Sequence, residues 1–229
     1  MTKAPDDSGK AWLSHLTKVL AISSVVVIST ALATNDWLIT EELINSAFLQ
    51  NDAAFAQNQN YVKKTYSGLF TVCISNFSTD LYDCFQIHEA FDDSYISDPG
   101  DSAWAVPYAA TKSLWFFLTS TVLLCFAELF FISSLLGSRD WCIFVSGVTF
   151  IVAGLLMLVG VISLVSLFRA EVGNKLRPPS SNKAAQMTFT YGYSFLLYMS
   201  GLALIEATGT CAIFLYLKTF AYSLAQAAG

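Results

Sequence analysis

Two cysteines in a polar stretch of this chain have the types and spacing to form a disulfide. Cys73 and Cys84 are separated by ten residues and enclose an N-glycosylation acceptor, Asn76-Phe77-Ser78. Strand-favouring residues lie on both sides, and Asn-Phe-Ser-Thr favours a turn between them. We therefore predict a β-hairpin closed by a Cys73–Cys84 disulfide in an oxidising compartment, with a glycan at Asn76 as a further hypothesis. Such a bridge stabilises a loop this short by roughly 2–3 kcal/mol on the chain-entropy model; two unrelated free thiols are the alternative.

Two carboxylates, Glu128 and Glu206, lie within long apolar runs. A lone carboxylate inside a bilayer costs about 2.5–3.5 kcal/mol on insertion scales, so each should be protonated, hydrogen-bonded or in contact with a partner protein. Three interpretations stay open: a hydrogen bond inside a helix bundle, a contact with a partner's helices, and an ion or proton path. The last is the least favoured, because no basic residue or third carboxylate completes a relay.

The sequence contains no motif that would arrange an active site. GxSxG, HExxH, P-loop and CxxC patterns are all missing, and the two histidines, His15 and His88, fall on opposite sides of the membrane in the topology below. We predict no catalytic residue, no cofactor site and no metal site.

Composition indicates an integral membrane protein. The 229 residues are 55% hydrophobic and 13% charged, whereas soluble domains carry about 25% charged residues. Apolar runs long enough to cross a hydrocarbon core of about 30 Å predict four transmembrane helices. The predicted spans are residues 16–34, 111–136, 141–168 and 189–217. The predicted fold class is an all-α membrane protein, a four-transmembrane helix bundle with a disulfide-stabilised extracellular β-sheet cap.

The remaining segments fix the predicted topology. They are an N-terminus (1–15), a first extracellular loop (35–110) that forms the cap, a turn (137–140), a second extracellular loop (169–188) and a tail (218–229). Positive charges are nearly balanced between the two sides, so the disulfide and the acceptor sequence decide the orientation, and both termini are predicted to be cytoplasmic. Between Asn35 and Pro107 there are eleven acidic residues and two lysines, which gives this segment a net charge of −9. This excludes nucleic acid as a partner and favours a basic protein surface or cations.

Several of these residues together resemble the claudin superfamily. That family's pattern is a Trp after the first helix, then Gly-Leu-Trp, then two cysteines. Here the pattern is Trp37, Gly68-Leu69-Phe70, Cys73 and Cys84, with Phe70 in place of the last Trp. The resemblance implies a claudin-like fold.

The fourth apolar run resembles one branch of that superfamily, the stargazin-like AMPA-receptor regulatory proteins and the calcium-channel gamma subunits. Tyr191-Gly-Tyr193-Ser-Phe195, ten residues and Glu206-Ala-Thr-Gly209 correspond to Tyr-Gly-Trp-Ser-Phe, ten residues and Glu-x-x-Gly in those proteins. With Glu128, the residues Tyr191, Tyr193, Glu206 and Gly209 are expected to bind a partner or to pack the bundle.

The resemblance implies a non-enzymatic auxiliary subunit of an AMPA-type ionotropic glutamate receptor in the plasma membrane, at synapses. The third and fourth helices would dock on the channel, and an acidic cap would contact its ligand-binding domains. The candidate cap residues are Asp92, Asp93, Asp98 and Asp101. A calcium-channel gamma subunit and a claudin-type junction or adhesion protein are the alternatives.

Overall fold

A computed structural model describes residues 6–45, 60–75, 82–87, 105–137, 140–176 and 187–227. Nine helices and strands occur in these ranges. Their order is α1 (Asp6–Ala33), β1 (Leu38–Asn45), β2 (Asn60–Ser67), β3 (Thr71–Ser75), β4 (Tyr82–Gln86), α2 (Ala105–Gly137), α3 (Asp140–Leu176), β5 (Met187–Tyr191) and α4 (Tyr193–Ala227).

The four helices are long and apolar enough to span a bilayer. The qualifying stretches are Gly9–Ala33, Pro107–Gly137, Trp141–Gly173 and Tyr193–Leu224. At 1.5 Å per residue each exceeds the roughly 30 Å of a hydrocarbon core. The prediction of four membrane-spanning helices is thus confirmed, and the chain is a multi-pass membrane protein.

The start of the fourth helix differs from the prediction. The sequence predicts a fourth span from residue 189, but residues 189–191 belong to β5, and α4 begins at Tyr193. The reason is a strand pairing for which the sequence carries no local signal. Residues 189–191 lie opposite residues 40–38 of β1. Aromatic and β-branched residues suit a strand once such a partner is present.

The strands form one antiparallel sheet in the order β4-β3-β2-β1-β5. Cys73 lies directly opposite Cys84 in the β3–β4 pair and is bonded to it, so the predicted hairpin and disulfide are confirmed. Strand β2 ends at Ser67, and β3 begins at Thr71. A turn separates the two, closed by the bond from the Gly68 N–H to the Thr71 carbonyl (2.8 Å).

The chain divides into two compact units. The first, here the helical unit, consists of Met1–Thr30, Trp115–Gly160 and Leu197–Gly229, and the second, the sheet unit, of Ala31–Leu114 and Val161–Leu196. Large side chains buried in the helical unit are Ile28, Phe117, Phe150, Met157, Tyr198 and Ile205. In the sheet unit one sheet face is buried through Leu38, Thr40, Thr65, Val72 and Met187.

Candidate functional site

Five of the predicted site residues lie outside the described residues. They are the glycosylation candidate Asn76 and the acidic cap residues Asp92, Asp93, Asp98 and Asp101. Their roles stay predictions. Of the other predicted residues, Trp37, Gly68 and Leu69 lie at a junction in the sheet unit, and Glu206 and Gly209 lie at a helix–helix seam in the helical unit. Glu128 lies on α2, and Cys73 and Cys84 lie on β3 and β4.

Trp37 is the centre of the junction, which joins the end of α1 to the sheet. Its side chain is almost fully buried, and its indole Nε1–H donates to the Ala31 carbonyl at 2.9 Å. Its backbone N–H donates to the Ser67 carbonyl (3.0 Å), and its own carbonyl accepts from the Gly192 N–H (3.1 Å). One residue therefore connects α1, β2 and the segment that leads into α4.

Two glycines allow the chain to pass this closely. A Cβ on Gly68 would lie 2.9 Å from the Asn35 Cα, and a Cβ on Gly192 would overlap the backbone carbonyl of Asp36. In both cases the obstacle is backbone, which cannot move aside. A side-chain hydroxyl adds a further hydrogen bond at the junction: the Asp36 N–H donates to Ser194 Oγ (3.2 Å). Sequence reasoning identified Gly68 but missed Ser194, for which only its place in the Tyr-Gly-Tyr-Ser-Phe motif was a signal.

A small apolar cavity of about 20 Å³ lies beside Trp37. It is lined by Trp37, Leu38, Gly68, Leu69, Leu164, Val165, Phe168, Tyr191 and Phe195. Leu69 is buried, whereas Phe70 is 46% exposed. Replacing the family's Trp by Phe at position 70 therefore removes little buried surface, and Trp37, Gly68 and Leu69 hold the junction.

The outer face of the sheet carries a polar cluster. Lys64 Nζ lies 2.8 Å from Glu41 Oε1, and the hydrogen bond and charge of that carboxylate raise the pKa of Lys64. The rings of Tyr66 and Tyr82 meet edge to face with centroids 5.4 Å apart. Their hydrogen bond, followed by burial, raises the pKa of Tyr66. An exposed pair of this kind adds little stability, so the cluster marks a solvated face.

The seam between α3 and α4 holds the predicted Glu206 and Gly209. A Cβ on Gly147 would lie 3.0 Å from the Gly209 carbonyl oxygen, and a Cβ on Gly209 would lie 2.9 Å from the Gly147 carbonyl oxygen. Further along, Glu206 Oε1 occupies the space beside Gly154 that a side chain would need. The Glu206 carboxyl therefore packs against α3, and its roles in a bundle hydrogen bond or a partner contact stay predictions.

Glu128, on α2, is half-buried, and its Oε1 is buried without a hydrogen-bond partner among the described residues. Close by, Ser146 of α3 donates its hydroxyl to the carbonyl of Ala127 at 2.8 Å. In the described ranges no three His, Cys, Asp or Glu side chains are grouped to hold a metal ion.

The outward face of α4 in the helical unit carries small and polar side chains along its first half. Ser200, Ala203 and Thr210 are exposed there, and exposed large residues follow towards the end of the helix. Those are Phe214, Leu217, Phe220, Tyr222 and Leu224, while α3 exposes Trp141, Phe144, Val148, Val152, Leu155, Leu158 and Val159. In the sheet unit, the predicted Tyr191 and Tyr193 are 39% and 56% exposed.

Comparison with known proteins agrees with this architecture. The family model described as PMP-22/EMP/MP20/Claudin tight junction matches residues 22–215. The chain is 27% identical to the mouse voltage-dependent calcium channel gamma-5 subunit over 220 residues, which cover 93% of this chain and 73% of that protein. It is 37% identical to the human voltage-dependent calcium channel gamma-7 subunit over 78 residues, 34% of this chain and 27% of that protein. By its matched length, its four apolar helices and its disulfide-linked sheet, the chain belongs to the PMP-22/EMP/MP20/Claudin family.

Proposed function

We propose that this protein is a non-enzymatic auxiliary subunit of an ion channel, and that the channel is an AMPA-type ionotropic glutamate receptor. The observation that carries the first part is similarity along 93% of the chain to a protein named as a calcium channel gamma subunit. The second part depends on the stargazin-like motif from Tyr191 to Gly209.

The docking surface in this proposal is the outward face of α3 and α4 in the helical unit. Lipid chains are as apolar as leucine, so helices associate in membranes mainly where small residues allow close contact and hydroxyls can hydrogen-bond. Ser200, Ala203 and Thr210 on α4 have these properties. The exposed aromatic residues towards the end of α4 would add contact area against a channel helix.

The cap in this proposal faces the extracellular side and both termini are cytoplasmic. A disulfide persists in an oxidising compartment, which supports this orientation. The acidic balance of −9 between Asn35 and Pro107 would favour a basic surface on the receptor's ligand-binding domains. Single exposed pairs contribute about 0–1 kcal/mol, so several of Asp92, Asp93, Asp98 and Asp101 would have to act together to alter gating.

The experiment is co-purification in mild detergent with either an AMPA-type receptor or a voltage-gated calcium channel pore subunit. Thr210→Leu, which enlarges the docking face on α4, should abolish recovery of the channel. The matched control is Thr119→Leu, because Thr119 is exposed on α2 of the same unit, and it should leave recovery unchanged. Recovery of neither channel would refute the auxiliary-subunit proposal.

The second candidate is a gamma subunit of a voltage-gated calcium channel, which the names of both relatives favour. Recovery of the calcium channel alone would establish this candidate and refute the AMPA-receptor assignment. Self-assembly into strands without either channel would instead favour a junction protein.

A further inference from the structure

The α3–α4 seam contains two close contacts in a fixed spacing. Gly147 meets Gly209, and Gly154 meets Glu206, so the two helices run antiparallel along the seam. The α3 positions are seven residues apart, a rise of about 10.5 Å, and the α4 positions are three apart, about 4.5 Å. The difference, about 6 Å, is the axial distance that remains between Glu206 and Gly154. Side chains lean towards the N-terminus of their own helix. The Glu206 side chain therefore points along α4 in the direction that covers this distance.

Glu206 is the residue that lies closest to the missing side chain of Gly154. The three atoms closest to the position of a Cβ on Gly154 are Oε1, Cδ and Cγ of Glu206. Gly154 is buried, and one of its Cα hydrogens points to that position, so the carboxyl oxygen packs directly against the glycine backbone where the helices approach closely. The seam thus pairs a carboxyl with a glycine that must lack a side chain.

We propose that Glu206 is a positioning residue that fixes the register of α4 against α3. Its carboxyl fills the space left by the missing side chain of Gly154, here called the notch. The glycine pair Gly147–Gly209 allows the helices to touch, with Ile213 and Ile151 packed beside it. The carboxyl then sets which part of α4 lies opposite Gly154, seven residues further along α3. Its importance for docking rests on the proposed function, because the outward face of these helices is the surface proposed to meet the channel.

The first test is a rescue experiment on the full chain in lipid nanodiscs, read as thermal stability by size-exclusion chromatography after heating. Gly154→Ala should lower the midpoint temperature, because the new methyl displaces the carboxyl. Adding Glu206→Ala should bring the midpoint to that of Glu206→Ala alone, since all three of the nearest obstacles, Oε1, Cδ and Cγ of Glu206, are then removed. No loss in Gly154→Ala, or no rescue in the double variant, would overturn the proposal.

Gly147→Ala is the matched control for this rescue. Its new methyl would meet Ile213, Ala212 and the backbone oxygen of Gly209, none of which Glu206→Ala removes. The loss in Gly147→Ala should therefore persist when Glu206→Ala is added. An equal rescue at both glycines would mean that shortening Glu206 loosens the whole seam, and the register assignment would be wrong.

The second test measures register directly, by pulsed electron paramagnetic resonance between spin labels at the exposed positions Val148 and Thr210. The three free cysteines, Cys125, Cys142 and Cys211, are first replaced by alanine. Glu206→Gln keeps an oxygen in the notch and should retain the original distance distribution, whereas Glu206→Leu should shift or broaden it. An unchanged distribution in Glu206→Leu would refute the proposal.

If Glu206→Leu does not yield folded protein, the rescue experiment decides. Neither test uses a channel, so the results of both are independent of the co-purification result. A chain with the expected register that recovers neither channel would refute the proposed function and leave the role of Glu206 intact.

Discussion

Trp37→Phe tests whether the junction between α1 and the sheet depends on one indole hydrogen bond. Phenylalanine keeps an aromatic ring but removes the Nε1–H that donates to the Ala31 carbonyl at 2.9 Å. Leaving a buried acceptor without a partner costs about 1–3 kcal/mol. The Ala31 carbonyl also accepts from Thr34 Oγ1 at 3.3 Å. Because this longer bond remains, we expect the lower part of that range, about 1–2 kcal/mol.

In a chain of this size 1 kcal/mol shifts the unfolding midpoint by roughly 2–4 °C, so the expected decrease is roughly 2–8 °C. The assay is size-exclusion chromatography of the full chain after heating in detergent, which does not depend on tryptophan fluorescence. The smaller ring also enlarges the neighbouring cavity, which adds to the loss.

Trp141→Phe is the matched control, because Trp141 is 68% exposed and the same atoms are removed without a buried partner. Its midpoint should stay within about 2 °C of the original, because exposed substitutions usually change stability by less than about 0.5 kcal/mol. If Trp37→Phe and Trp141→Phe have equal midpoints, the indole bond contributes nothing to the junction, and the argument from Trp37 fails.

Two further predictions concern the sheet unit. Cys84→Ser opens a bridge between residues eleven apart in sequence, which should cost about 3 kcal/mol on the chain-entropy model; the midpoint should decrease and become insensitive to dithiothreitol, and an unchanged midpoint would contradict this. Val165→Ile adds one methyl at the cavity beside Trp37 and should raise the free energy of unfolding by at most about 0.8 kcal/mol, the value of one buried CH₂, and the midpoint with it. A lower midpoint would mean that the cavity cannot accept the group.

The parts of the fold with local signals could be predicted from sequence. Long apolar runs indicate helices because a bilayer requires about 20 such residues, and the spacing of Cys73 and Cys84 around a turn indicates their pairing. Strand β5 could not be predicted, because Met187–Tyr191 becomes a strand only through pairing with β1, far away in sequence. The same applies to the notch at Gly154: both it and Glu206 are visible in the sequence, but their opposition depends on the helix register.

The residues that identify the family are mainly those that hold the junction together. Trp37, Gly68 and Gly192 connect α1, the sheet and the start of α4 through backbone contacts that other residues would block or lose. They stabilise the fold, and they say little about the partner. Specificity must therefore come from exposed surfaces, where a substitution costs little stability. On the outward face of α4, Thr210 can change without disturbing the junction, so co-purification variants at that position test function separately from folding.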